Sequence, residues 1–186
     1  MISENTRFLI VGLGLIGGSY ARALKAKGYA VDGLDADPKA VEYALANRFI
    51  DNGSSENDET VIKAADIIIL ALYPQAEIAW IRDNQHKIRE QTLITDATGV
   101  KAIVVDRIEE FLREDLRFVP AHPMAGREVS GGENSRADLF AGANYIVVET
   151  DKSTEADLMT VEQIGKLLGA GSISRLSRSE ERRVGK

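Results

Sequence analysis

The stretch RFLIVGLGLIGG, Arg7 to Gly18, decides how this chain is read: a continuous apolar run breaks there into glycines and then passes into helix-forming sequence. Phe8, Leu9, Ile10 and Val11 have the pattern of a strand buried on both faces of a parallel sheet. Gly12, Gly14 and Gly17 complete G-x-G-x-x-G, and Tyr20, Ala21, Ala23, Leu24 and Ala26 continue as a helix ending near Gly28. A second strand, Ala30 to Leu34, closes on Asp35. That acid falls near the ~20-residue spacing of a dinucleotide-binding fingerprint.

The residue types fit that chemistry. Gly12 permits a tight turn, Gly14 lets backbone approach a pyrophosphate, and Gly17 lets the helix pack closely on the strand. The amides of Leu15, Ile16 and Gly17 at the helix start then face the phosphates, where the helix dipole also favours negative charge. Asp35 would accept hydrogen bonds from the adenosine ribose and repel a 2′-phosphate, so NAD is expected rather than NADP. The bland alternative is a glycine-rich turn that binds nothing. Strand, glycines, helix, second strand and terminal acid in that order argue against it.

Composition narrows the class. The chain has 186 residues, enough for one well-buried domain, and with 44% hydrophobic and 28% charged residues it reads as an ordinary globular protein. The net charge of −6 has no block behind it apart from a short basic cluster at the extreme C-terminus, so no nucleic-acid partner is expected. There is no cysteine and there are two histidines, so neither a disulfide framework nor a metal site is expected. No signal peptide and no membrane span are read, and a cytoplasmic location is the expectation.

Outward from the glycines, Asp37-Pro38 starts a helix through about Asn47, Asn52 to Ser55 reads as a loop, and Asn57 to Lys63 as a short helix. Ile67 to Leu72 is a doubly buried strand, and Gln75 to Arg89 a helix carrying Trp80 and His86. Trp80 reads as core or an interface contact rather than a cofactor platform, His86 as a solvated surface residue. Thr92 to Asp96 is a strand, followed by a helix to about Arg113 and a strand from Arg117 to Ala121. A long loop covers Arg127 to Gly142, Asn144 to Glu149 is a strand, Ser153 or Thr154 caps a helix to about Leu168, and Ser172 to Leu176 is a further strand. The alternation predicts an α/β, Rossmann-type doubly wound domain, mainly parallel, with helices on both faces of the sheet. Ligands bind beyond the carboxyl ends of such strands, where the Gly12 turn, Leu72-Tyr73, Thr98-Gly99 and His122 should converge.

A histidine on a loop at that edge, opposite a nicotinamide, is suited to taking the proton of an alcohol while hydride leaves the same carbon. From position alone His122 equally fits a packing role before Pro123. The GLGLIGGS stretch at 12 to 19, Asp35, the turn Asp96-Ala97-Thr98-Gly99-Val100-Lys101, and above all HPMAGRE at 122 to 128 with Gly131 following resemble the nucleotide-binding domain of the prephenate and arogenate dehydrogenases. The resemblance covers about residues 7 to 176 and favours the catalytic reading of His122. It implies NAD-dependent oxidative decarboxylation of prephenate to 4-hydroxyphenylpyruvate, in tyrosine biosynthesis. His122 would draw off the ring hydroxyl's proton, and aromatisation would drive the loss of carbon dioxide.

The family commonly has Gly-Ser where this chain has Thr98-Gly99, and its serine helps orient histidine and substrate. Thr98 is therefore carried as a substitute from one position earlier, beside the alternative that it packs or caps the next helix. The family also continues into a helical domain that forms a homodimer and supplies part of the substrate pocket. Here residues 1–176 read as the NAD-binding domain and 177–186 as a charged tail whose RSEERRVGK end is expected to be non-native, with that helical domain absent. Arogenate or another hydroxyacid as substrate, and a non-catalytic NAD-binding module, are the competing readings.

Overall fold

In the computed structural model the described residues are 1–99, 101–126, 129–177 and 179–180, with the backbone alone at 101–103. The expected end of the chain, 178 and 181–186, lies outside them, as do Val100, Arg127 and Glu128. The elements run β1 (Arg7–Val11), α1 (Leu15–Ala26), β2 (Ala30–Leu34), α2 (Pro38–Ala46), β3 (Asn52–Ser54), α3 (Glu59–Ala64), β4 (Ile67–Leu70) and α4 (Pro74–Asn84). They continue through β5 (Leu93–Asp96), α5 (Lys101–Glu109), β6 (Arg117–Val119), β7 (Ala121–Pro123), β8 (Asn144–Glu149), α6 (Glu155–Leu167) and β9 (Ser172–Ser177).

Six parallel strands form a sheet in the order β3-β2-β1-β4-β5-β6, so the order in which strands are laid along the sheet reverses between β1 and β4. Strand residues alternate between two cores. Phe8 and Ile10 pack on one face with Tyr20 and Leu24 of α1 and with Val161 and Ile164 of α6. Leu9 and Val11 pack on the other with Ile62 of α3, Ile78 and Ile81 of α4, and Val104 and Ile108 of α5. Burial on both faces is why these strands read as unbroken apolar runs.

Three expectations need correction. Asn52-Gly53-Ser54, read as loop, is the edge strand β3, in register with Asp32-Gly33-Leu34. The helix expected to reach Arg89 ends at Asn84 and tightens into a 3-10 turn over Gln85–Lys87. The strand expected from Arg117 to Ala121 divides at Pro120. Without an N–H, proline cannot extend the ladder to β5. Pro120 instead accepts from the Val148 amide at 2.9 Å, and β7 joins an adjoining three-stranded sheet, β7-β8-β9, antiparallel to β8.

Candidate functional site

At the reversal between β1 and β4 the backbone turns through Gly12 at φ +92°, a value L side chains rarely adopt. A Cβ there would also meet the Ala71 carbonyl oxygen at 2.4 Å, and one on Gly17 would lie 1.7 Å from the Gly12 carbonyl oxygen. These two glycines bring the start of α1 down onto the sheet. Gly14, the residue before the helix, is different: a Cβ there would have nothing within 4 Å. The helix ladder begins with Gly18 N–H to Gly14 C=O, at 2.8 Å, which leaves the amides of Leu15, Ile16 and Gly17 ahead of it. No acidic side chain occupies the first turn of α1. The arrangement is an anion-binding helix start with room above it.

Asp35, half-buried at the end of β2, holds this turn from the side. One carboxylate oxygen accepts from the Leu13 amide at 2.7 Å, the other from the Asp37 amide at 2.8 Å. Beside it opens a cleft of about 250 Å³, with Gly12, Leu34 and Asp35 on one wall and Leu72, Ala76 and Trp80 on the other. Trp80 is core, as its sequence suggested, yet it also lines this cleft, with its indole N–H fixed on Asn57 Oδ1 at 2.7 Å. Asn57 precedes Trp80 by 23 residues, so no local pattern announces the pair.

Farther along the same edge, β7 carries His122 opposite Ile146 of β8. The histidine is therefore on a strand, not on a loop. Its half-buried ring lies against Gly99, where a Cβ would sit 3.3 Å from His122 Cε1 and 3.7 Å from Nε2. Thr98 is turned the other way, with its hydroxyl 2.6 Å from Glu77 Oε2 and 3.3 Å from the Leu72 carbonyl oxygen. Those bonds tie the β5–α5 turn to α4 and to the end of β4, a packing arrangement. Asp96, fully buried, accepts from the Thr98 amide at 3.2 Å and from the Ala121 amide at 2.9 Å. Nearby, the Tyr20 and Tyr145 hydroxyls lie 3.3 Å apart; burial raises the pKa of both, and the Asp96 charge adds to the shift.

The segment after His122 folds back over α1. A Cβ on Gly132 would lie 2.6 Å from the Leu13 carbonyl oxygen, and one on Gly18 would lie 2.8 Å from Ser135. Arg22 donates to Ser135 Oγ at 2.7 Å and stacks on Phe49, and the Arg136 amide donates to Ser19 Oγ at 3.0 Å. The glycine turn is thus braced from both sides. Among the described residues no group of three or more acidic, histidine or cysteine side chains is arranged to hold a metal, and no helix is long and apolar enough to cross a membrane.

The reversed sheet order, the glycine turn at the reversal and the adjoining cleft define a dinucleotide-binding domain of the doubly wound class. A family model for the nucleotide-binding domain of prephenate dehydrogenase matches residues 20–174, and the chain belongs to that family. It is 35% identical over 163 residues to the prephenate dehydrogenase of Bacillus subtilis, which covers 86% of this chain and 43% of that protein. It is 30% identical over 149 residues to the cyclohexadienyl dehydrogenase of Zymomonas mobilis, covering 79% of this chain and 50% of that one. Among solved structures, the prephenate dehydrogenase of A. aeolicus in complex with hydroxyphenyl propionate and NAD+ superimposes with a TM-score of 0.88 at 27% identity. That match covers 98% of this chain and 63% of the A. aeolicus chain. The chain thus spans about half the length of the curated relatives it matches.

Proposed function

We propose that this chain is the NAD-binding part of a dehydrogenase that oxidises a cyclohexadienol of the prephenate or arogenate kind, with loss of carbon dioxide as the ring becomes aromatic. The observation that carries the reading is the placement of His122, held against Gly99 on the same carboxyl edge of the sheet as the Gly12 turn and the Asp35 cleft. Gly12, Gly14 and the amides of Leu15, Ile16 and Gly17 would hold the pyrophosphate, and the open space above Gly14 fits it. Asp35 would take the adenosine ribose, with adenine between Leu34 and Trp80, and its charge with that of Asp37 selects NAD over NADP. When bound, NAD supplies the hydride acceptor. His122 takes the proton of the ring hydroxyl, a task for which an imidazole is suited near neutral pH.

Tyr73 and Met124, 87% and 51% exposed, leave apolar surface open beside this edge. We assign residues 1–176 to the NAD-binding domain and 177–186 to a tail, of which Ser177 still pairs with Glu149 as the last residue of β9. The helical half that the family resemblance implies would complete the substrate pocket and pair two subunits. We assign the protein a cytoplasmic setting. The test is calorimetric titration of the 186-residue chain with NAD and NADP, then an assay for prephenate-dependent NADH absorbance. NAD binding tighter than NADP binding is expected, with strong turnover only when the helical half is supplied. A chain that binds neither nucleotide would refute the reading.

A further inference from the structure

We propose that Asp96 is a positioning residue, whose buried carboxylate sets the place of the His122 ring by holding the two backbone segments that flank it. One oxygen holds the Thr98 amide, next to Gly99, and the other holds the Ala121 amide, next to His122. These segments come from different sheets, because Pro120 takes the chain out of the parallel ladder that pairs Thr95 with Val119. Ala121 N–H points away from β8, back toward β5, and finds a side-chain oxygen where the ladder would have offered a carbonyl. Asp96 is fully buried, and a carboxylate in a core is costly unless charge-assisted hydrogen bonds compensate it. An apolar residue here would leave the Thr98 and Ala121 amides without this acceptor, so the carboxylate is read as what fixes their geometry. Its consequence is the ring's contact with Gly99.

The functional weight of this role rests on the reading of His122 as the proton acceptor, but the test does not. The chain has two histidines, and the exposed His86 serves as an internal reference for His122 in NMR spectra. In Asp96→Asn the Ala121 amide keeps its oxygen, whereas the new NH2 group meets the Thr98 amide donor to donor. The His122 Cε1–H resonance should move, His86 should not, and NAD affinity should stay within about twofold. The Thr98 amide should exchange about tenfold faster, the loss expected for one charge-assisted bond. An unmoved His122 resonance would overturn the proposal, as would equal disturbance of His86 and the β1 amides. The unaltered protein supplies a second measurement: Thr98 and Ala121 amides exchanging as fast as those of exposed loops would also overturn it. Failure of the proton-acceptor reading would show instead as unchanged turnover in His122→Asn.

Discussion

Gly14 and Gly17 belong to one motif, yet the structure assigns them opposite consequences on substitution by alanine. At Gly14 the added methyl meets nothing within 4 Å, and the backbone is extended at φ −71°, outside the left-handed region that favours glycine. A poorer helix cap costs up to about 1 kcal/mol, and reduced freedom of the unfolded chain returns about 0.4–1 kcal/mol, so the net effect on folding is near zero. The same methyl stands where the pyrophosphate is proposed to lie. Displacing two charge-assisted bonds of at least ~1.5 kcal/mol each would cost about 3 kcal/mol, or about 100-fold in NAD affinity. At Gly17 the methyl lies 1.7 Å from the Gly12 carbonyl oxygen and 3.1 Å from Ala71 Cβ, and the first of these is backbone that a rotamer change cannot relieve. Overpacking of this kind costs about 3 kcal/mol or more, a fall in Tm of roughly 6–12 °C for a chain of this size. Thermal unfolding and calorimetry on the two variants separate the effects. Gly14→Ala binding NAD within threefold of the unaltered chain, or Gly17→Ala melting with it, would refute the assignment of roles.

Replacing Asp35 with Ala should weaken NAD binding more than NADP binding by calorimetry; equal losses would remove Asp35 from the ribose. In a protein carrying the helical half, His122→Asn should lower turnover by about 100-fold or more while NAD affinity holds, the scale of general-base catalysis. In the same protein Gly99→Ser places a hydroxyl beside the ring, at the cost of a contact tighter than usual by a few tenths of an ångström. Turnover should rise, and a fall as deep as that of His122→Asn would show that the ring has no room for it. Partial burial would raise the pKa of Asp51, but the hydrogen bonds from Lys25 Nζ and the Val31 amide outweigh it and hold the carboxyl below its ordinary range. Its stabilisation is therefore complete above the unfolded value of ~3.9 and lost as pH falls through the folded one. The gap in denaturant stability to Asp51→Asn, about 1 kcal/mol at most for so exposed a pair, should be constant near neutrality and close in acid.

What could be read from the sequence was what local order encodes. β1, the glycine turn, α1, β2 and Asp35 occupy a continuous stretch in which each residue type reports its own backbone, and the structure forms them as expected. β3 was hidden because Asn52-Gly53-Ser54 carries no strand-forming residue. It exists because Gly33 and Gly53 lie side by side in the register, where a Cβ on Gly53 would strike Ile50 and Val41. Strand character there comes from the neighbour rather than from propensity. Pro120 did mark a break inside an apolar run, and its missing N–H was the available signal that β6 and β7 part company.

The site divides in the same way. Gly12, Gly17 and Asp35 fall within one strand–helix–strand unit whose fingerprint spacing spells them out, whereas no such pattern ties Asp96 to Ala121, whose amide meets a side chain because the chain leaves the ladder at Pro120. The resemblance offers Thr98 as a stand-in for the family's serine, beside the alternative that it packs or caps; the turn sends its hydroxyl inward to Glu77 and presents Gly99 to the ring. Where the family's serine would bring a side chain against the imidazole, this chain brings a hydrogen atom. Two ties reach the ring through its backbone, the β7–β8 pairing on one side and the Asp96 carboxylate on the other. On the proposed reading, the Asp96 carboxylate holds the chain on both sides of the contact between ring and Gly99, at Thr98 and at Ala121.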